Sequence, residues 1–220
     1  MRRAVLFDLD GTLTDSSPGI LRCFRYAFVR LAEVGGPRPL LPESDEALRF
    51  IVGPPLRESF AVFAGEAEKE RLMGFYLERY SAIGAFENRV YDGVVEALNR
   101  LRAEGARLFV ATSKSEKDAR AIVEHFGLAS QFETVNGAKL DGSRAAKWEL
   151  ISDILAAHGV AREEAAMVGD RKFDMIGARE VGVAAVGALW GYGSRDELAE
   201  AGAQEFAETP GEAAEIALRL

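Results

Sequence analysis

The 220-residue sequence carries one cysteine, Cys23, two histidines, His125 and His158, and no apolar stretch of the about 20 residues that a membrane span needs. A single thiol excludes an internal disulfide and fits a reducing compartment, here the cytoplasm. Cys23 falls in an apolar-patterned helix, the usual setting of a packing residue. Both histidines fall near helix C-termini, where they favour the helix dipole and need no catalytic role. Positive charge is also scarce: 27 Lys and Arg against 35 Asp and Glu give a formal charge of -8 and a pI near 5.0. That balance argues against nucleic acid or an anionic membrane as main partner. Capture of an anionic substrate then becomes a local matter for a metal or a few cations. Arg2 and Arg3 precede apolar residues as in a signal peptide, but the run ends at Asp8, too short for such a segment.

What is present is ordinary for a globular chain, 48% apolar and 28% charged. The length allows one medium domain, or one domain with a small insertion. Ala4 to Phe7 reads as a short buried strand. It delivers Asp8 and Asp10, one residue apart, to its end, and Gly11 lets the backbone turn there. Asp-Gly is a common turn by itself. In an open α/β sheet, however, the C-terminal strand edge is where ligands bind.

From Ser16 to about Phe86 the pattern is helical throughout. Ile20, Leu21, Phe24, Phe28 and Leu31 repeat at helical spacing, and Ser44 is placed to cap a short helix. Leu56 to Phe63 and Ala67 to Ile83 read as two more helices. Strands alternate with helices from Tyr91 onward: Arg107 to Ala111, Phe132 to Asn136, Ala165 to Val168, Val183 to Val186 and an edge strand at Gln204 to Ala207. Among the intervening helices, one is capped by Ser143 and runs to His158. Such alternation predicts a doubly wound, Rossmann-like parallel sheet. Right-handed crossovers would gather the strand ends at one edge. The expected organisation is an α/β core of residues 1–15 and 88–220 with an all-helical cap, residues 16–87, inserted after the first strand.

Phe-Asp-Leu-Asp-Gly-Thr-Leu-Thr-Asp-Ser resembles the first motif of the haloacid dehalogenase-like (HAD) hydrolases, mostly Mg-dependent phosphatases. Leu-Phe-Val-Ala-Thr-Ser resembles the second motif, and Lys147 after Asp141-Gly142-Ser143-Arg144 the third. Met-Val-Gly-Asp-Arg-Lys-Phe-Asp, ending at Asp174, resembles the fourth. Together they span Val5 to Gly187 in the required order. The resemblance is to the phosphoglycolate phosphatase-like and 5′-nucleotidase-like branch.

The resemblance implies Mg²⁺ held by Asp8, the Asp10 backbone carbonyl and Asp170, with Asp174 behind them orienting metal-bound water or Lys147. Phosphate ester cleavage needs a nucleophile, neutralised charge and a protonated leaving group. Asp8 is expected to form an aspartyl-phosphate, and Asp10 to protonate the leaving oxygen and later activate water. Thr112 and the Ser113 amide would bind the phosphoryl oxygens, with Lys147 neutralising them. A helical cap would close over substrate, with Arg57 beside Gly53-Pro54-Pro55-Leu56 as a candidate reader of the leaving group. The substrate is expected to be a small phosphorylated metabolite, phosphoglycolate-like or a nucleotide, acted on by a monomer or homodimer. A phosphomutase of the β-phosphoglucomutase type shares these motifs, though such enzymes tend to carry valine where Thr12 stands. Dehalogenases and phosphonatases lack the acid at Asp10, and Lys69 is the only lysine in the cap stretch for the phosphonatase role. A non-catalytic phosphate-ester-binding protein is the alternative from another class; intact acids and Lys147 argue against it.

Overall fold

Four apolar residues, Ala4–Phe7, form β1, buried at every position because neighbours cover both its faces. The structure, a computed structural model, describes residues 4–53, 56–139 and 146–220. Two units are apparent: Met1–Asp15 with Val90–Leu220, and Ser16–Arg89. Short strands β2 (Thr14–Asp15) and β3 (Arg89–Val90) mark the two chain crossings.

The helical unit contains α1 (Ser17–Glu33), α2 (Asp45–Leu48), α3 (Leu56–Ala64) and α4 (Lys69–Ala82). The Ser44 hydroxyl accepts from the Ala47 N–H and so caps α2. The aromatic residues form this unit's own core. Phe24 stacks on Phe60 with centroids 4.7 Å apart, and Phe28, Phe63 and Tyr76 pack around them. Cys23 is fully buried there, its sulfur 3.2 Å from Arg79, which also pairs with Glu87. Its placement is that of a packing residue.

In the larger unit the elements run α5 (Val94–Ala103), β4 (Arg107–Ser115), α6 (Glu116–His125), β5 (Thr134–Ala138), α7 (Lys147–His158), β6 (Ala165–Gly169), α8 (Lys172–Val181), β7 (Ala184–Ala188), α9 (Arg195–Ala201), β8 (Glu205–Ala207) and α10 (Pro210–Arg219). The sheet has six strands in the order β5-β4-β1-β6-β7-β8, all parallel. Its apolar strands are buried on both faces, as a doubly wound sheet requires. Leu6, Phe109, Met167 and Ala185 share one cluster with Ile151, Ile154, Met175 and Leu198 from the flanking helices.

Two expectations shift. The strand predicted at Phe132 to Asn136 lies at Thr134–Ala138, because a turn of 3₁₀-helix, Ala129–Gln131, uses the chain just before it. The second-motif strand does not end at Ala111 but continues to Ser115, with a shift in its pairing to β5 between Ala111 and Ser115. Ser143, expected to cap α7, lies outside the described residues, as do Asp141, Gly142 and Arg144, and Pro54 and Pro55 near Arg57. No helix among the described residues is long and apolar enough to cross a membrane.

Candidate active site

Register brings the chemistry together. Phe7 pairs with Val110 on one side and Val168 on the other, so the chain ends of β1, β4 and β6 are level. The Asp8 N–H continues the ladder by donating to Val168 O at 3.0 Å. A tight turn follows, in which Leu9 O accepts from the N–H groups of Thr12, Leu13 and Thr14. Gly11 closes it at φ +87°, and a Cβ there would lie 2.1 Å from Asp170 Oδ2. Backbone conformation and close approach both demand glycine.

Lys147, in the first turn of α7, is buried; it donates to Asp8 and Ala111 O and forms an ion pair with Asp174. Its Nζ lies 3.0 Å from Asp8 Oδ1, 2.7 Å from Asp174 Oδ1 and 2.8 Å from Ala111 O. Burial by itself would lower its pKa, but the carboxylates of Asp174 and Asp8 outweigh that and hold it above the ordinary lysine value. Asp170 follows β6 and is fully buried. The Thr12 hydroxyl donates to its Oδ1 and the Tyr192 N–H to its Oδ2, each at 2.9 Å. Asp174, one turn into α8, accepts from the Arg171 N–H at 3.1 Å. Burial pushes Asp174 up to about 6, and Asp8 adds to the rise against the pull of Lys147. Asp170 is raised too, first by burial and then by Asp174 and Asp8, against the two hydrogen bonds it accepts.

The side chains of Asp8, Asp170 and Asp174 offer oxygens that all lie within 4.8 Å of one another. One lysine faces three carboxylates, so the buried cluster has surplus negative charge. Hard oxygen donors with that surplus suit Mg²⁺. The residues present therefore fit the metal.

Thr112 is buried at the edge beside Asp8, its hydroxyl accepting from the Lys114 N–H at 3.2 Å, and Ser113 is exposed next to it. Asp10 stands apart from the trio: its Oδ2 pairs with Lys114 Nζ at 2.7 Å. Arg57 lies in the first turn of α3 and pairs with Glu70 at 2.8 Å, both side chains exposed. His158 sits at the opposite end of β4, its ring 4.7 Å from Phe109 and Nδ1 3.2 Å from Arg107. His125 stacks edge-on against Phe126.

Sequence reasoning missed two features. Lys114 directly follows Thr112 and Ser113; a cation right after the hydroxyl pair was the available signal. The loop after β7, Trp190-Gly191-Tyr192-Gly193, clamps the site. The Trp190 indole donates to Thr12 O at 3.0 Å, the Tyr192 hydroxyl lies 3.1 Å from Asp15 Oδ1, and the Gly193 N–H donates to Asp170 O at 3.1 Å. Two aromatics alternating with glycine after a strand were the signal there.

A model of the haloacid dehalogenase-like hydrolases matches residues 5–188. The chain is 43% identical over 197 residues to a 5′-nucleotidase of Pseudomonas aeruginosa, covering 88% of this chain and 86% of that one. It is 44% identical over 193 residues to tyrosine-protein kinase PtkA of Mycobacterium tuberculosis, covering 87% of this chain but only 64% of that protein. The fold superposes on the crystal structure of a predicted phosphatase from Clostridium acetobutylicum with a TM-score of 0.88 at 35% identity, covering 100% of both chains.

Proposed function

The chain belongs to the haloacid dehalogenase-like hydrolases and is a phosphoric monoester hydrolase, and from that premise we propose that it hydrolyses a small phosphate monoester with Mg²⁺, through an aspartyl-phosphate on Asp8. The observation that carries this reading is Lys147 Nζ bound at once to Asp8, Asp174 and Ala111 O. That arrangement holds the Asp8 carboxyl oriented at the sheet edge, as an attacking group must be.

Asp8, Asp170 and the Asp10 carbonyl hold the metal in this reading, and Asp174 fixes Lys147. Mg²⁺, when bound, neutralises phosphoryl charge and lessens the repulsion between two anions that must meet. An Asp8 oxygen attacks phosphorus while the bond to the leaving oxygen breaks. Asp10 gives that oxygen a proton, then takes one from the water that cleaves the acyl phosphate and frees inorganic phosphate. The Thr112 hydroxyl and Ser113 amide hold phosphoryl oxygens, and Lys147 balances their charge.

For the leaving group, the similarity to a 5′-nucleotidase over most of both chains favours a nucleoside monophosphate; a phosphoglycolate-like ester is the second choice, on the sequence resemblance. The test is phosphate release from a panel of nucleoside monophosphates, phosphoglycolate and sugar phosphates. Release that needs Mg²⁺, stops with excess chelator and is abolished by Asp8→Asn is expected. Release undiminished by chelator, or full turnover in Asp8→Asn, overturns the reading.

A further inference from the structure

We propose that Lys114 is a positioning residue for Asp10: by holding one oxygen of that carboxyl group, it fixes the orientation in which the group exchanges a proton with the leaving-group oxygen of the substrate. The inference rests on the acid–base role given to Asp10 above. Asp10 Oδ2 lies 2.7 Å from Lys114 Nζ, whereas Asp10 Oδ1 is buried without a hydrogen-bond partner among the described residues. A carboxylate gripped by one oxygen has its side-chain torsions set. The group then stays in place for a proton transfer that needs hydrogen-bond reach.

The grip is built rather than incidental. Lysine normally leaves its ammonium in water, yet the Lys114 side chain is only 10% exposed and that of Asp10 23%. Pairs such as Arg57 with Glu70 are more than half exposed on both sides and so contribute little. The backbone under Lys114 is also specified. Its N–H donates to the Thr112 hydroxyl, and the β4–β5 register shifts around it. The next residue, Ser115, caps α6 by accepting from the Asp118 N–H at 3.2 Å. Across the sheet edge, Gly137 makes room: a Cβ there would lie 2.5 Å from Lys114 O and 2.7 Å from Glu116 N. A hydroxyl, a strand irregularity, a helix cap and a glycine thus converge on the lysine whose ammonium pairs with Asp10.

Proton accounting keeps Lys114 a bystander to the transfer. As the phosphorus–leaving-oxygen bond breaks, a proton passes from the Asp10 carboxyl group to that oxygen. In the second half it returns from the attacking water as the Asp8–phosphorus bond breaks. Lys114 keeps all of its protons throughout and acts only through Asp10.

The experiment uses the Mg²⁺-loaded protein and reads the first-turnover rate of leaving-group release from two esters. One is a nucleoside monophosphate, whose alkoxide needs a proton; the other is p-nitrophenyl phosphate, whose phenolate does not. Lys114→Met is expected to slow release from the nucleotide by about 10²-fold, with KM little changed, and to leave release of p-nitrophenolate nearly intact. Lys114→Arg, which keeps the charge and a donor, restores most of the nucleotide rate. Melting curves monitor folding, with Lys114→Gln in reserve. Equal slowing with both esters overturns the proposal, since a merely structural lysine would act that way. So does an undiminished nucleotide rate in Lys114→Met or Lys114→Gln while Asp10→Asn is slow. Full nucleotide turnover in Asp10→Asn removes the acid–base reading itself, a separate failure.

Discussion

Lys147 shows how one side chain sets the state of several others. Its ammonium is removed from water, which is costly, and is stabilised only because it donates to Asp8 and Ala111 O and pairs with the Asp174 carboxylate. Removing the cation leaves the carboxylates facing each other with no hydration to relieve them. Lys147→Met is therefore expected to abolish turnover and to destabilise the metal-free protein by about 3–5 kcal/mol, read from urea unfolding. Adding Asp174→Asn to that variant recovers part of the loss, because the uncompensated charge has gone. Residue types at this scale were legible early: two acids after an apolar run, a hydroxyl pair after another, a lysine and two more acids in order. The pairing of Lys114 with Asp10 was not legible, since nothing in adjacent sequence states which acid a lysine will reach.

Elements matter here mainly where they end. β1, β6 and residues 108–111 of β4 are continuous apolar runs, which is why their existence could be read directly. Their irregular continuations could not be read: the extension of β4 to Ser115 depends on its partner β5 and on Gly137. The loop after β7 is the other such case. A Cβ on Gly191 would lie 2.3 Å from Asp170 Cβ and 2.5 Å from Gly11 O, against a backbone that cannot yield. Gly191→Ala is expected to cost about 1–3 kcal/mol in urea unfolding. It should also weaken Mg²⁺ binding about tenfold by calorimetric titration, because Asp170 is pushed off its hydrogen bonds from Thr12 and Tyr192.

The whole molecule is acidic, and its most crowded acids are buried together, so stability should respond to protons and to metal. The Asp174 carboxyl is raised to about 6 in the fold, against about 4 in an unfolded chain. A raised acid holds its proton more tightly when folded. Its contribution is therefore present below about pH 4 and lost as pH rises through about 6; Asp170 shifts in the same direction. In chelator, then, this cluster should lower the melting temperature as pH climbs over that window. Mg²⁺ should restore it, with a larger gain at pH 7 than at pH 5, where protons already neutralise the cluster. Asp170→Asn should melt higher than the parent in chelator at pH 7 and gain little from Mg²⁺. Differential scanning fluorimetry across pH checks all three outcomes.

Chain order and residue type, both local properties, were enough to announce a parallel α/β sheet and the kind of chemistry gathered at its edge. Partnership was decided only in three dimensions. Lys147 reaches an acid 139 residues away because β1 lies between β4 and β6 and brings their ends level. Asp10, two residues beyond Asp8, pairs with a different lysine, Lys114, supplied by the extension of β4 past Ala111. Electrostatic attraction acts through space, and only strand order and register convert sequence distance into the ångströms on which it depends.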